Sequence, residues 1–306
     1  MSSDLAPQAR HGSGAIWTGS EVFLWGGVSK SDGNMVVKGD GSRYDPNSDS
    51  WTTISSLNAP SARSGHITVM GLEHVYVWGG SSDAGTLDDG AFYDPLNDAW
   101  TPFPQAGAPS PREKFGGVWI NDKLMVWGGF DGSSSLNDGA IFDPGSGLWS
   151  EVSVTNAPSP RHDHNMVWLG DKVLVWGGLN SADGLALASG ALYDPENDTW
   201  ADINMVNAPS ARYLASGVWT GKDFMIWGGR TDDASPFLNT GGIYSPATDT
   251  WQQLPAYSSL FGRSSHGAVW TDKSVLMWGG KGLGSVFSDG AQYGFPVDET
   301  ESSEDL

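Results

Sequence analysis

The chain has 306 residues, a net charge of −20, and 42 glycines, 16 tryptophans and no cysteine. Without cysteine there are no disulfides, thiolate metal sites or cysteine nucleophiles. The negative charge argues against nucleic acid and anionic membrane surfaces as partners, and no apolar run is long enough to span a bilayer.

In chain order, the sequence is one unit written six times. An arginine opens each unit: Arg10, Arg63, Arg112, Arg161, Arg212 and Arg263. Fifteen residues later comes Trp-Gly-Gly, at Trp25, Trp78, Trp127, Trp176, Trp227 and Trp278. An aromatic follows: Tyr44, Tyr93, Phe142, Tyr193, Tyr244 and Tyr293. Seven residues after the first five of these stands a late tryptophan: Trp51, Trp100, Trp149, Trp200 and Trp251. Only the stretch from Trp-Gly-Gly to the aromatic varies, at 19, 15, 15, 17, 17 and 15 residues. The steps are even, as in a hairpin that lengthens without exchanging its two faces.

Each unit predicts four short strands. The first follows the arginine, the second is the apolar run into Trp-Gly-Gly, the third centres on Gly-Ala-x-Tyr, and the fourth starts at the late tryptophan. Asp-Pro-x-x-Asp marks a tight turn between third and fourth. Units of this size predict an all-β, six-bladed β-propeller with four antiparallel strands per blade. It is expected to span residues 1–297 as a single domain, with an acidic tail over 298–306. Ala6-Pro7-Gln8-Ala9-Arg10 repeats Ala59-Pro60-Ser61-Ala62-Arg63. The N-terminus therefore reads as the end of a fourth strand, expected to lie against the sixth blade and help close the ring.

The recurring arginines predict a repeated structural pairing, with Asp40, Asp89, Asp138 and Asp289 as acidic partners. Six basic residues fall outside the repeat pattern: Lys30, Lys38, Arg43, Lys114, Arg230 and Lys281. Three residues after the arginine, His66, His164 and His266 look structural. One residue after it the units carry His11, Ser64, Glu113, His162, Tyr213 and Ser264. Two residues after it they carry Gly12, Gly65, Lys114, Asp163, Leu214 and Ser265. These two rows are chemically mixed, as though the scaffold does not dictate them, and they are the better site candidates.

The paired glycines, tyrosine and tryptophan at fixed distances resemble the kelch repeat, in six copies over roughly residues 10 to 295. In kelch adaptors of ubiquitin ligases, ligands bind at one mouth, using the start of the first strand and the second-to-third loop. Carried over by position, the resemblance implies His11, Glu113, Lys114, His162, Asp163 and Tyr213, with Lys30, Ser81, Asp131, Asn180, Arg230 and Lys281 from the loops. Phrases such as NAPSAR are similar to bacterial kelch-repeat proteins, many of them secreted or surface-attached. That implies an extracellular or periplasmic location, although MSSDLAPQAR lacks the apolar core of a signal peptide.

Kelch enzymes give further comparisons. Galactose oxidase needs a tyrosine–cysteine crosslink, which this chain cannot form. The Glu-x-x-x-Asp-x-x-x-His iron pattern of nitrile-specifier proteins is absent. A mutarotase-like sugar chemistry stays open, with Glu113, His162 and Asp163 as the acid–base candidates. The first expectation is a non-catalytic, monomeric recognition module for a protein or glycan, with no catalytic residues, metal or cofactor. The alternatives are the sugar enzyme and a structural domain of a larger surface protein.

Overall fold

The computed structural model describes residues 2–231, 237–256 and 260–295; the acidic tail expected at 298–306 lies outside them. Among the described residues all regular structure is β, and no helix is long and apolar enough to cross a membrane. The chain forms two compact units, Met1–Ile203 and Asn204–Leu306.

The first unit holds four four-stranded antiparallel sheets, one per repeat, each running in sequence order from first to fourth strand. The third repeat is typical: Gly116–Ile120, Lys123–Trp127, Gly139–Asp143 and Leu148–Glu151. The second unit holds the four-stranded sheet of the fifth repeat and a three-stranded sheet of the sixth, Gly267–Trp270, Ser274–Trp278 and Gly290–Gly294.

Aromatic stacking carries the core between neighbouring repeats. Trp78, fully buried, meets Phe115 edge-on at 5.3 Å and Trp149 at 5.6 Å, both from the third repeat. Trp127 meets His164 and Trp200 of the fourth in the same way, at 5.4 and 5.2 Å. In the second unit Trp227 meets His266 at 5.3 Å. Trp278 differs from these, being 65% exposed.

In the first, second, third and fifth repeats the glycine pair after the tryptophan turns the backbone toward the next repeat. Gly80 has φ +91°, and a Cβ there would sit 2.6 Å from the Ser64 carbonyl oxygen. Its amide instead reaches the Arg112 carbonyl at 2.8 Å, a link repeated by Gly27 to Arg63 and Gly129 to Arg161. A side chain would break this approach, which is why glycine recurs there.

Each arginine is a buried tie, and the expected acidic partners are in place. Arg112 donates from Nε to the Ser110 carbonyl and from Nη1 to the carbonyls of Gly128 and Asp138. Its ion pair with Asp138 is 3.0 Å; those of Arg63 with Asp89 and Arg263 with Asp289 are 2.7 and 2.8 Å. Arg263 in turn holds the Asp289 carboxyl below its ordinary pKa. In the fourth and fifth repeats the carboxylate is replaced by hydroxyls, Ser189 for Arg161 and Thr240 for Arg212. Burial lowers both of these guanidinium pKa values to about 10, which still leaves them cationic at pH 7. Ser189→Asp is expected to add the missing pair and stabilise the protein by about 1 kcal/mol, since the new carboxylate would stay half in water. The check is the urea midpoint of the variant. No gain would mean that the hydroxyl already compensates the buried charge.

A second tie joins successive repeats through the third-to-fourth turn. Tyr93 donates its hydroxyl to Asp98 at 2.7 Å, and Asp98 also accepts the Ser55 amide from the preceding repeat at 3.0 Å. The Trp100 indole N–H then reaches the Ser55 carbonyl at 2.9 Å. The third repeat changes all the polar members together. Phe142 has no hydroxyl, Gly147 no carboxylate, and Pro104, in the place of Ser55, no amide hydrogen. Only the indole bond of Trp149 to the Pro104 carbonyl remains, at 3.2 Å. Removing donor and acceptor together leaves no orphaned polar group. The N-terminus uses the same device: Ser2 gives its amide to Asp49 and accepts from the Trp51 indole. So Ser2 bonds to the first repeat as the residue after a fourth strand bonds to the repeat that follows it.

Candidate functional site

The arginine row fixes the two rows beside it. The residue after each arginine pairs antiparallel with the segment after Trp-Gly-Gly: His11 with Val28, Ser64 with Ser81, Glu113 with Phe130, and His162 with Leu179. In the second unit Tyr213 pairs with Arg230, and Ser264 with Lys281. The next residue is left-handed in every repeat: Gly12, Gly65, Lys114, Asp163, Leu214 and Ser265 have φ between +53° and +64°. In the first unit these residues form a backbone ladder. The Gly65 amide donates to Gly12, Lys114 to Gly65, and Asp163 to Lys114, at 3.2, 3.3 and 2.9 Å. In the second unit Ser265 donates to Leu214 at 3.0 Å. The scaffold therefore dictates the backbone of both rows, while the side chains vary.

The first unit gathers several of the sequence candidates. Glu113 accepts the Ser81 hydroxyl at 2.5 Å and pairs with the Lys114 ammonium at 3.2 Å. That ammonium lies 5.4 Å from the centre of the Phe130 ring, a cation–π contact. Phe130 also packs on His162, with ring centres 5.2 Å apart. The Lys114 side chain is 42% exposed and that of Glu113 18%.

His162 is buried. Its Nδ1 bonds with the Ser135 hydroxyl at 2.9 Å, and its Nε2 is 3.8 Å from Asp163. Burial, with Lys114 nearby, lowers its pKa to about 4, so the ring is neutral at pH 7. Serine, histidine and aspartate thus fall in the order of a hydrolase triad, but the 3.8 Å from Nε2 to Asp163 is too long for a hydrogen bond and Ser135 is shut from solvent. Its oxygen already accepts the Ser181 amide at 2.9 Å. The arrangement ties neighbouring loops and presents no nucleophile to a substrate.

Apart from Ser81, which bonds to Glu113, the loop candidates of the first unit make their own local contacts. Asp131 accepts the amides of Ser133 and Ser134, and Asn180 that of Ala182, so both cap turns. The Ser133 and Ser134 amides hold the Asp131 carboxyl below its usual pKa. His11 and Lys30 are exposed on the first repeat. Arg43 pairs with Glu21 at 3.1 Å and donates to the Pro95 carbonyl at 2.7 Å, a structural role for one of the six off-pattern cations. In the second unit Arg230 lies over the rings of Tyr213 and Phe237, at 5.7 and 5.1 Å, and Lys281 is exposed.

Phe130, Ser135 and Ser181 were missed from sequence. Phe130 had one signal, its place directly after the glycine pair. The two serines sit in variable loops with none. Among the described residues no group of three or more His, Asp or Glu is placed to hold a metal ion.

The KLHDC2/KLHL20/DRC7 Kelch-repeats domain model matches residues 10–205 and, in a second overlapping placement, 163–301. No curated protein matches the chain. Kelch domains generally mediate protein interactions, and the sheets, glycine pairs and buried arginines described above are repeated across the matched residues. The chain therefore belongs to the kelch-repeat β-propeller family.

Proposed function

We propose that the chain is a non-catalytic recognition module. Its ligand docks where the first strands begin and the second-to-third connections emerge, with Glu113, Lys114 and Asp163 among the contacts. A protein ligand is the first choice and a glycan the second.

One observation carries this reading. Four residues of the first unit occupy the same left-handed ladder slot, and two of them, Gly12 and Gly65, are glycine. The fold accepts glycine there, and glycine avoids a steric penalty of about 1–2 kcal/mol that other residues bear. Lys114, and Asp163 to a lesser degree, keep side chains that the slot disfavours. Strain retained where the scaffold does not require it is a mark of a working surface.

The test replaces Lys114 and Asp163 by glycine, singly and together. The variants are expected to unfold at the same or higher urea concentration than the parent. In a screen of immobilised proteins and glycans, any ligand captured by the parent is expected to bind about tenfold more weakly to the double variant. Unchanged affinity in stable variants would remove this face from the binding surface.

A further inference from the structure

The second-to-third connection of the first repeat is the longest of the six, and it forms a protruding hairpin. Val28–Ser31 pairs with Asn34–Val37 around Asp32-Gly33, both of which have positive φ, as a tight two-residue turn requires. The hairpins of the second and fourth repeats pair only two residues a side. Their loops are also covered: the Thr86 hydroxyl donates to the Asp131 carbonyl, and Ser181 and Ser135 exchange two bonds.

Asn34–Val37 is an edge strand, the last in the order Arg10–His11, Val28–Ser31, Asn34–Val37. The Lys38 amide donates inward to Gly27, which sets the register. The bonded pairs further out are then Ser29 with Val36 and Ser31 with Asn34. The amides and carbonyls of Met35 and Val37 point outward, and among the described residues they meet no partner. Proteins usually blunt such an edge with proline, charge or a bulge. This one is Asn-Met-Val-Val, with Met35 56% and Val36 37% exposed. Lys30 lies directly across from Met35 on one face, and Lys38 continues the strand beside Val36 on the other. With Asp32 in the turn, residues 28–38 carry two positive charges and one negative, a net +1 on a chain of net charge −20.

We propose that this edge receives an extended partner segment by strand addition, one that sets two adjacent apolar residues beside two adjacent carboxylates, so that each face of the added strand carries one of each. The partner's backbone would satisfy Met35 and Val37. On each face one apolar side chain would cover Met35 or Val36, and one carboxylate would lie toward Lys30 or Lys38. The inference stands apart from the reading of Glu113, Lys114 and Asp163.

The test uses the full chain and two synthetic extended peptides, one repeating Val-Val-Glu-Glu and the other Val-Val-Lys-Lys. Hydrogen exchange is expected to slow at Met35 and Val37 with the acidic peptide and not with the basic one. Val37→Pro removes an outward donor without touching a ladder bond, and should weaken the acidic peptide about tenfold. Lys30→Glu should weaken it further at low salt than at high salt. The Lys114→Gly, Asp163→Gly double variant should bind it like the parent. The proposal is overturned if neither peptide protects the edge or if Val37→Pro binds normally. It is also overturned if protection tracks protein concentration, which would assign the edge to a second copy of this chain.

Discussion

Arg112→Ala is expected to destabilise the protein by about 3–5 kcal/mol, among the largest effects of any single substitution. The guanidinium is fully buried and donates to three carbonyls, those of Ser110, Gly128 and Asp138. Alanine would leave these carbonyls dry and unpaired. Asp138 loses less, because its side chain is 49% exposed and water can replace the cation. Arg112→Lys separates charge from shape. Lysine keeps the charge but directs its donors from one point, so it cannot serve carbonyls set apart around a planar fork. It should therefore recover only a small part of the loss. Arg161→Ala gives a second comparison, since Arg161 has hydroxyl partners and no carboxylate. It should cost nearly as much if carbonyl satisfaction dominates, and much less if the ion pair does. Urea unfolding of the three variants decides the matter. A lysine variant as stable as the parent would refute the argument from fork geometry.

The same comparison explains what the sequence could and could not convey. Arginine, Trp-Gly-Gly, tyrosine and late tryptophan answer to contacts that every repeat makes, so spacing exposes them. The arginine partners were partly legible. Asp40, Asp89, Asp138 and Asp289 share a place before the third-strand glycine, but Ser189 and Thr240 hold that place without a charge to announce it. The two rows after the arginine were harder. Side chains as unlike as Gly65, Lys114 and Leu214 suggest freedom, whereas the constraint is a backbone angle that residue identity scarcely reports. His162 shows the other limit. Its row places it beside exposed His11, yet it is buried because Phe130 and Ser135, from the connection of the preceding repeat, close over it. Variable loops carry no periodic signal, so their contacts appear only in the folded chain.

The three histidines of the next row predict a marked loss of stability in mild acid. His66 and His164 have pKa values lowered to about 3, and His266 to about 4, in each case by burial first and then by the adjacent arginine. The unfolded chain takes up these protons near pH 6.5 and the folded chain does not. Their contribution is therefore fully present above pH 6.5 and is lost as the pH falls toward 3–4, on the order of 2 kcal/mol per ring by pH 5. The third repeat supplies the control, because Phe115 fills the same place and packs edge-on against Trp78 as His164 does against Trp127. The ring nitrogens of His164 have no hydrogen-bond partner among the described residues, so phenylalanine removes no bond. His164→Phe should match or exceed the parent at pH 7.5. Its advantage should widen steadily as the pH falls from 6.5 to 5, while carboxylate effects common to both proteins cancel in the difference. Urea midpoints measured across that range provide the readout. Two parallel curves would mean that His164 titrates alike in the folded and unfolded chain, and would remove the buried ring as a cause of acid instability.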